Sequence, residues 1–285
     1  MAEEKQKYAV IGWPIEHSAS PQMHNAGFRA SGIKAVYERI ATPPAKLSAT
    51  IDKLIDKGFR GWNVTVPHKE AVIPFLDDIS PEAELAGSVN TIAVSNGRLR
   101  GYSTDGFGLE QAIQEAFHIP AAGHSFFFIG AGGATKATAV HYARQGADKI
   151  WVINRTIEKA RQICGIINTA TKADKAQAVA LSEQKKWQQL LNSADVIIQA
   201  TSLGLKDDDP LPIPAETIPE NKNIYDMIYR LTPFLQEARK RNCQTAAGEG
   251  MLLYQGVKSF ELWTGQTAPA EAMRRALKTA MAERD

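Results

Sequence analysis

Short apolar runs alternate along this chain with longer stretches in which apolar residues recur every third or fourth position. The first pattern suits buried strands and the second amphipathic helices, so the chain is expected to be built of α/β units rather than to be all-α or all-β. Strands are predicted at residues 8–11, 36–40 and 62–66, with a hairpin whose arms, 89–94 and 98–102, meet at Asn96-Gly97, a pair suited to the positive φ angles of a tight turn. Helices are predicted at 21–30, 46–56, 69–75 and 106–116, and the last leads into Ile119-Pro120-Ala121-Ala122-Gly123, a breaker-rich stretch read as a domain junction. Beyond it the spacing predicts strands at 126–129, 150–153, 178–181, 196–200, 224–227 and 245–247, and helices at 134–145 and from 157 to about 169. A loop rich in Asp and Pro fills 205–219, and the tail, 251–282, is helical with Pro269 as a break.

The 285 residues, 44% of them apolar, suffice for two domains that each bury a core. With 33 basic and 31 acidic side chains the net charge is +2 and no block carries one sign, which argues against nucleic acid as a partner. Cys164 and Cys243 are isolated and build no disulfide framework, which fits a reducing cytoplasm. The opening Met1-Ala2-Glu3-Glu4-Lys5 lacks the apolar stretch of a signal peptide, and no run approaches the ~18 apolar residues of a membrane span, so a soluble, unanchored protein is expected.

Phe126-Phe127-Phe128-Ile129 runs directly into Gly130-Ala131-Gly132-Gly133-Ala134-Thr135-Lys136-Ala137, and an amphipathic helix follows. Strand, glycine turn and helix in this order make the phosphate-binding half of a Rossmann-type unit. Glycine lets the chain reverse tightly and bring the backbone N–H groups of 130–134 to a pyrophosphate, whose charge faces the positive end of the helix. Thr135 stands where GxGxxG has its third glycine, so the string takes its weight from its setting; a glycine-rich turn without a ligand is the alternative. An NAD site would usually end its second strand with an acid for the ribose 2′-hydroxyl. Here the chain reads Asn154-Arg155-Thr156, with Lys159 one turn further on. The Arg155 fork and a second positive charge suit a 2′-phosphate, and the missing acid favours NADP(H) over NAD(H). The other reading of Arg155 and Lys159 is as solvated residues at a helix start.

The substrate must be read from the first hundred or so residues. Gly12-Trp13-Pro14-Ile15-Glu16-His17-Ser18-Ala19-Ser20-Pro21-Gln22-Met23-His24-Asn25 follows the first strand, with Ser20 expected at an N-cap and Pro21 at the first helical position. The Ser18 and Ser20 hydroxyls can hold a carboxylate there, or simply cap. Asn63-Val64-Thr65-Val66-Pro67-His68-Lys69 alternates along a strand, so Asn63 and Thr65 share a face and Lys69 lies just beyond the strand end. Gly87-Ser88-Val89-Asn90-Thr91 and Ser103-Thr104-Asp105-Gly106 add an amide and a carboxylate at two further element ends.

These strings closely resemble those of the shikimate dehydrogenase family, over nearly the whole chain. The family's GxPIxHSxSPxMHN, NVTxPxK, GAxN and TDxxG patterns fall at 12–25, 63–69, 87–90 and 104–108. Its later signatures fall at 130–137, at Asn154-Arg155-Thr156, at Ala200-Thr201-Ser202-Leu203-Gly204, and at Gly250-Met251 with Gln255. The resemblance implies a substrate-binding domain at 1–106, with helices from 248–285 packing back on it, a Rossmann NADP-binding domain at 107–247, and a cleft between them. It implies reversible reduction of 3-dehydroshikimate to shikimate with NADPH, on the route to aromatic amino acids, by a monomer or homodimer. Ser18 and Ser20 would hold the substrate carboxylate, Asn63, Thr65, Asn90, Asp105 and Gln255 the ring hydroxyls, and Lys69 and Asp105 would form the catalytic pair. Thr201, Ser202, Met227 and Gly248 would join the glycine turn around the cofactor. Tyr229 matches a family tyrosine that reaches toward the carboxylate, but Thr232 follows it after three residues where the family usually has about five.

Ketone reduction leaves negative charge on oxygen, and a lysine ammonium can both stabilise that charge and supply a proton. His17, His24 and His68 stand in no HxxxH, HExxH or Cys-rich spacing, so no metal is expected; His17 and His24 are read as orienting loops by hydrogen bonds. The aromatic residues of 260–263 recur at helical spacing and are expected in the core. The rival readings are a quinate or quinate/shikimate dehydrogenase using NAD(P), and a non-catalytic NADP-binding sensor of the same fold.

Overall fold

Where apolar runs are short and glycine or proline punctuates them, the chain forms strands, and two sheets result. A computed structural model describes residues 5–206 and 208–283; the charged start of the chain, 1–4, and one position of the 205–219 loop lie outside the described residues. The chain divides into two compact units, one running up to Thr104 and resuming from Leu253, the other Asp105–Leu252.

The first unit holds β1 (Gln6–Gly12), α1 (Ser20–Ala30), β2 (Ala35–Ala41), α2 (Leu47–Asp56), β3 (Phe59–Val64), β4 (Asp78–Ile79), α3 (Pro81–Ala86), β5 (Thr91–Ser95) and β6 (Arg98–Tyr102). Its six-stranded sheet has the order β2-β1-β3-β5-β6-β4. The first three strands are parallel, and the hairpin of β5 and β6 adds to β3 antiparallel. Ile11, Ile51, Trp62, Val64 and Ile92 form part of its core. Burying each such side chain contributes ~1.5–3 kcal/mol relative to leaving it exposed.

The second unit holds α4 (Asp105–Phe117), β7 (Ser125–Ile129), α5 (Gly133–Arg144), β8 (Lys149–Asn154), α6 (Ile157–Thr171), β9 (Ala176–Ala180), α7 (Gln184–Ser193), β10 (Val196–Gln199), β11 (Asn223–Asp226), α8 (Pro233–Lys240) and β12 (Gln244–Ala246). Its sheet, β12-β11-β10-β7-β8-β9, is parallel throughout. That is the doubly wound order with its reversal between β7 and β10, where ligands of open α/β sheets bind. The strands are buried on both faces, so they read as continuous apolar runs. α9 (Glu249–Thr264) carries the chain back across the Leu253 boundary, and α10 (Ala270–Ala282) then packs on α1, where Met273 lies against Gly27.

Several expectations are corrected. The helix predicted at 69–75 is a set of turns ending in the 3₁₀ turn Ile73–Phe75. Pro74 has no N–H to donate, and Ile73, Phe75 and Leu76 all bond three residues back instead of four. The strand predicted to reach Val66 ends at Val64. The stretch 119–123 lies inside the second unit rather than at its border. Three helices are not predicted: α3 and α8, which Ser80 and Thr232 cap by accepting from Ala83 N–H at 3.2 Å and Leu235 N–H at 3.3 Å, and α7, where no side chain caps the amino-terminal end.

Candidate active site

In the first unit the strand directions bring the polar motifs to one sheet edge. β1 and β3 run parallel, β5 runs against β3 and β6 against β5, so the ends of β1, β3 and β6 and the start of β5 share that edge. Residues 12–20, 63–69, 90–91 and 104 all gather there. Thr65 continues β3 by one hydrogen bond, from its N–H to Ile11 O at 2.9 Å, and its methyl lies against Gly12, where a Cβ would collide. The Trp13–Pro14 and Val66–Pro67 bonds are cis, and Trp13 N–H donates to Val66 O at 3.0 Å. Lys69, half-buried, follows in the turn and accepts from Val89 N–H at 2.8 Å through its carbonyl.

Three of the predicted substrate residues sit in one hydrogen-bonded lattice. Asn63 Nδ2 donates to Asn90 O, Thr91 Oγ1 and Ser259 Oγ, each at 3.0 Å, while Tyr37 Oη donates to Asn63 Oδ1 at 2.7 Å. Asn90 Oδ1 accepts from Thr104 N–H at 2.8 Å, and Asn90 Nδ2 donates to Thr104 Oγ1 at 2.9 Å and to Gln255 Oε1 at 3.4 Å. Ser259 Oγ donates to Gln255 O at 2.9 Å, one helical turn earlier on α9. Asn63, Asn90, Thr91, Thr104 and Ser259 are all buried, and in a low dielectric such a satisfied lattice is rigid, because breaking any one bond strands a polar group. Tyr37 and Ser259 carried no signal in the sequence. Ser259 lies one turn beyond Gln255, but only the fold brings it to Asn63.

Ser20 is the first residue of α1 and not its cap; the cap position is Ala19, which makes no side-chain bond. Ser18 Oγ accepts from Ser20 N–H at 3.3 Å, and the Ser20 side chain bonds to Tyr37. Arg39 fixes the loop leading into α1, donating from Nε to Ser18 O at 2.8 Å. Burial pushes the Tyr37 hydroxyl well above its ordinary range, against the opposing effect of the Ser20 bond, so it stays protonated as a donor. His24 does not orient a loop by hydrogen bonds: both ring nitrogens are buried without partners, and the ring stacks on Tyr37 at 4.4 Å and 13°. Burial holds its pKa down to about 3, so it is neutral. His17 is exposed, and His68 Nε2 meets Thr42 O at 2.6 Å. Among the described residues no group of His, Cys, Asp or Glu could hold a metal ion.

In the second unit the candidate cofactor residues all follow carboxy-terminal strand ends. Gly130 has φ +107°, and a Cβ there would lie 2.7 Å from Thr201 Cγ2, so glycine is required by both the backbone and its neighbour. At Gly132 and Gly133 a Cβ would meet nothing within 4 Å. This open cradle in front of the α5 amino terminus fits a pyrophosphate held by backbone N–H groups. Thr135, in place of the third glycine, is fully buried and donates its hydroxyl to Gly130 O at 2.9 Å, closing the turn from within. Asn154 joins the turn to the next strand end: Oδ1 accepts from Ala131 N–H at 3.2 Å and Nδ2 donates to Thr156 O at 2.8 Å. Arg155 and Lys159 are exposed and, among the described residues, make no side-chain hydrogen bond or ion pair.

Two residues missed in the sequence tie the remaining loops together. Gln199 Nε2 donates to Leu203 O at 2.9 Å and to Asp226 Oδ1 at 3.3 Å, and Gln199 Oε1 accepts from Thr201 N–H. Asp226, fully buried, also accepts from Ile228 N–H at 3.0 Å and Thr232 Oγ1 at 2.7 Å. Arg230 Nη2 clamps the carbonyls of Gly204 and Leu205 at 2.9 and 3.0 Å, which holds the shortened loop after Tyr229. Gly248 lies against Met227 O and the Tyr229 ring, leaving no room for a Cβ. Burial and then the charge of Asp105 raise the Tyr229 hydroxyl to about 12; with 47% of the residue exposed, the charge is the firmer cause. Asp105, buried, opens α4 directly after Thr104.

Fold and site together define a two-domain α/β protein with a dinucleotide-type half and a polar small-molecule site. Residues 10–92 match the shikimate dehydrogenase substrate binding domain, 112–205 match shikimate / quinate 5-dehydrogenase, and 248–278 match the shikimate 5′-dehydrogenase C-terminal domain. The chain is 41% identical to the shikimate dehydrogenase (NADP(+)) of Thermococcus kodakarensis, over 98% of each chain. It superposes with a TM-score of 0.84 at 35% identity on the crystal structure of Thermus thermophilus shikimate 5-dehydrogenase in complex with NADP(H) and shikimate, covering 96% of this chain and 99% of that one. Quinate dehydrogenase from Corynebacterium glutamicum in complex with NAD gives 0.87 at 28% identity, over 97% of this chain and 100% of that one. The chain belongs to the shikimate dehydrogenase family.

Proposed function

We propose that this protein catalyses the reversible, NADPH-dependent reduction of 3-dehydroshikimate to shikimate. The observation that carries the reading is a pairing within one chain. A buried amide lattice stands at a sheet edge whose motifs carry Lys69 and Asp105, and a glycine turn is flanked by Asn154-Arg155-Thr156 where an NAD site would present an acid.

Bound at the open cradle of the glycine turn, NADPH supplies the hydride. Gly130, Ala131, Gly132, Gly133 and Ala134 present backbone to its pyrophosphate, Asn154 and Thr156 shape the strand end, and Arg155 and Lys159 meet the 2′-phosphate. Thr201, Ser202, Met227 and Gly248 line the loops beside the turn. Ser18 and Ser20 hold the substrate carboxylate, with Tyr229 reaching toward it, while Asn63, Thr65, Asn90, Asp105 and Gln255 hold ring hydroxyls. Lys69 stabilises the charge that grows on the carbonyl oxygen and delivers its proton, and Asp105 is the second catalytic residue. We place the protein in a reducing cytoplasm as a monomer or homodimer, consistent with two buried free cysteines and with no described helix long and apolar enough to cross a membrane. The test is NADPH consumption with 3-dehydroshikimate by the purified protein, with NADH and quinate as controls. Faster turnover of quinate with NAD, or no turnover at all, would overturn the reading.

A further inference from the structure

We infer that Tyr37 and Ser259 are positioning residues that make Asn63 an acceptor-only reader of the substrate, able to recognise a hydroxyl and unable to donate to a carbonyl or carboxylate. The inference rests on the function proposed above and adds the polarity of one subsite. An amide can present either end, so the question is which way Asn63 is turned. Asn90 O, a carbonyl that can only accept, lies 3.0 Å from Asn63 Nδ2; turning the amide over would set two carbonyl oxygens against each other at that distance. The amino group therefore faces inward.

Its two hydrogens have three acceptors at 3.0 Å, Asn90 O, Thr91 Oγ1 and Ser259 Oγ, so no donor is left to face a ligand. Tyr37 Oη, 2.7 Å from Oδ1, must then donate, and its raised pKa is consistent with a protonated hydroxyl. One lone pair of Oδ1 is used and one remains. That lone pair is what Asn63 offers, and a hydroxyl can satisfy it where a carbonyl oxygen cannot. Tyr37 also bonds Ser20 and is held by the stacked, neutral His24 ring, so the residue that sets the Asn63 oxygen also touches the serine assigned to the carboxylate end. Ser259 is held in turn by Gln255 O at 2.9 Å.

The experiment is a kinetic cycle on the full chain with Tyr37→Phe, Ser259→Ala, Asn63→Ala and the two doubles that combine each with Asn63→Ala. Tyr37→Phe is expected to raise KM for 3-dehydroshikimate about 10-fold, the size of one lost hydrogen bond, and Ser259→Ala about 3-fold, because Asn90 O and Thr91 Oγ1 still take both amide hydrogens, while KM for NADPH stays within about twofold. Each double is expected to match Asn63→Ala alone, because both residues act through that amide. Unchanged KM in Tyr37→Phe beside a raised KM in Asn63→Ala would overturn the inference, as would effects that multiply in the doubles. Should Tyr37→Phe fail to fold by thermal unfolding, Ser259→Ala carries the same test. A wild-type chain that does not turn over 3-dehydroshikimate would overturn the proposed function and this inference with it, whereas normal wild-type turnover with insensitive variants would overturn this inference alone.

Discussion

Individual side chains differ in what the surrounding protein already asks of them. Asn63 and Asn90 are bound into the lattice by several partners each, so substituting them disturbs structure as well as any ligand. Arg155 and Lys159 are solvated and unpaired among the described residues, so their removal leaves the fold intact and isolates a cofactor effect. Arg155→Ala is therefore expected to raise KM for NADPH ~10- to 100-fold, the range of a charge-assisted phosphate bond, with little change for NADH. Steady-state kinetics with both cofactors check this, and equal losses would show that Arg155 does not read the phosphate. Lys69→Ala is expected to lower kcat at least ~100-fold, the scale of a lost acid or base, with an unchanged circular-dichroism spectrum. Near-normal turnover would remove Lys69 from the chemistry.

At the scale of elements, the two sites were unequally legible in the sequence. The turn between β7 and α5 could be read directly, because a local run of apolar residues, glycines and an amphipathic helix contains its own explanation. The pairing of Asn63 with Ser259 could not, since 196 residues separate them and only the return of α9 brings them together. Spacing misled at 69–75, where apolar periodicity resembled a helix but Pro74 removed a donor, and it missed α7, whose start lacks a capping side chain. The glycines of the turn show how structure sharpens a motif. Gly130→Ala is expected to cost about 2 kcal/mol or more of stability, given φ +107° and a Cβ 2.7 Å from Thr201 Cγ2. Gly132→Ala meets open space and is expected to keep the thermal midpoint while raising KM for NADPH ~10-fold or more, because only a ligand would contest that space. Thermal unfolding with NADPH titration separates the two; similar midpoint losses in both variants would show that Gly132 is needed by the fold itself.

For the molecule as a whole, the buried Asp226 couples loop order to pH. Burial raises its pKa to about 6, against the opposing bonds from Ile228 N–H, Thr232 and Gln199. Because the folded value lies above the unfolded one, the native state holds a proton that the unfolded chain has already released between about pH 4 and 6. Stability from this group is thus greatest below pH 4 and falls as pH rises to 6, by on the order of 2 kcal/mol. Above pH 6 the carboxylate is charged in both states and the contribution is constant. Asp226→Asn keeps an acceptor for Ile228 N–H and a donor toward Thr232 but cannot titrate. The stability of the wild type relative to Asp226→Asn is therefore expected to decline between pH 4 and 6 and then level off, measured by denaturant unfolding across that range. A difference independent of pH would mean that Asp226 is ionised throughout. In that case the loops at 201–204 and 226–232 would be held by a permanent charge rather than by a carboxyl that titrates at about 6.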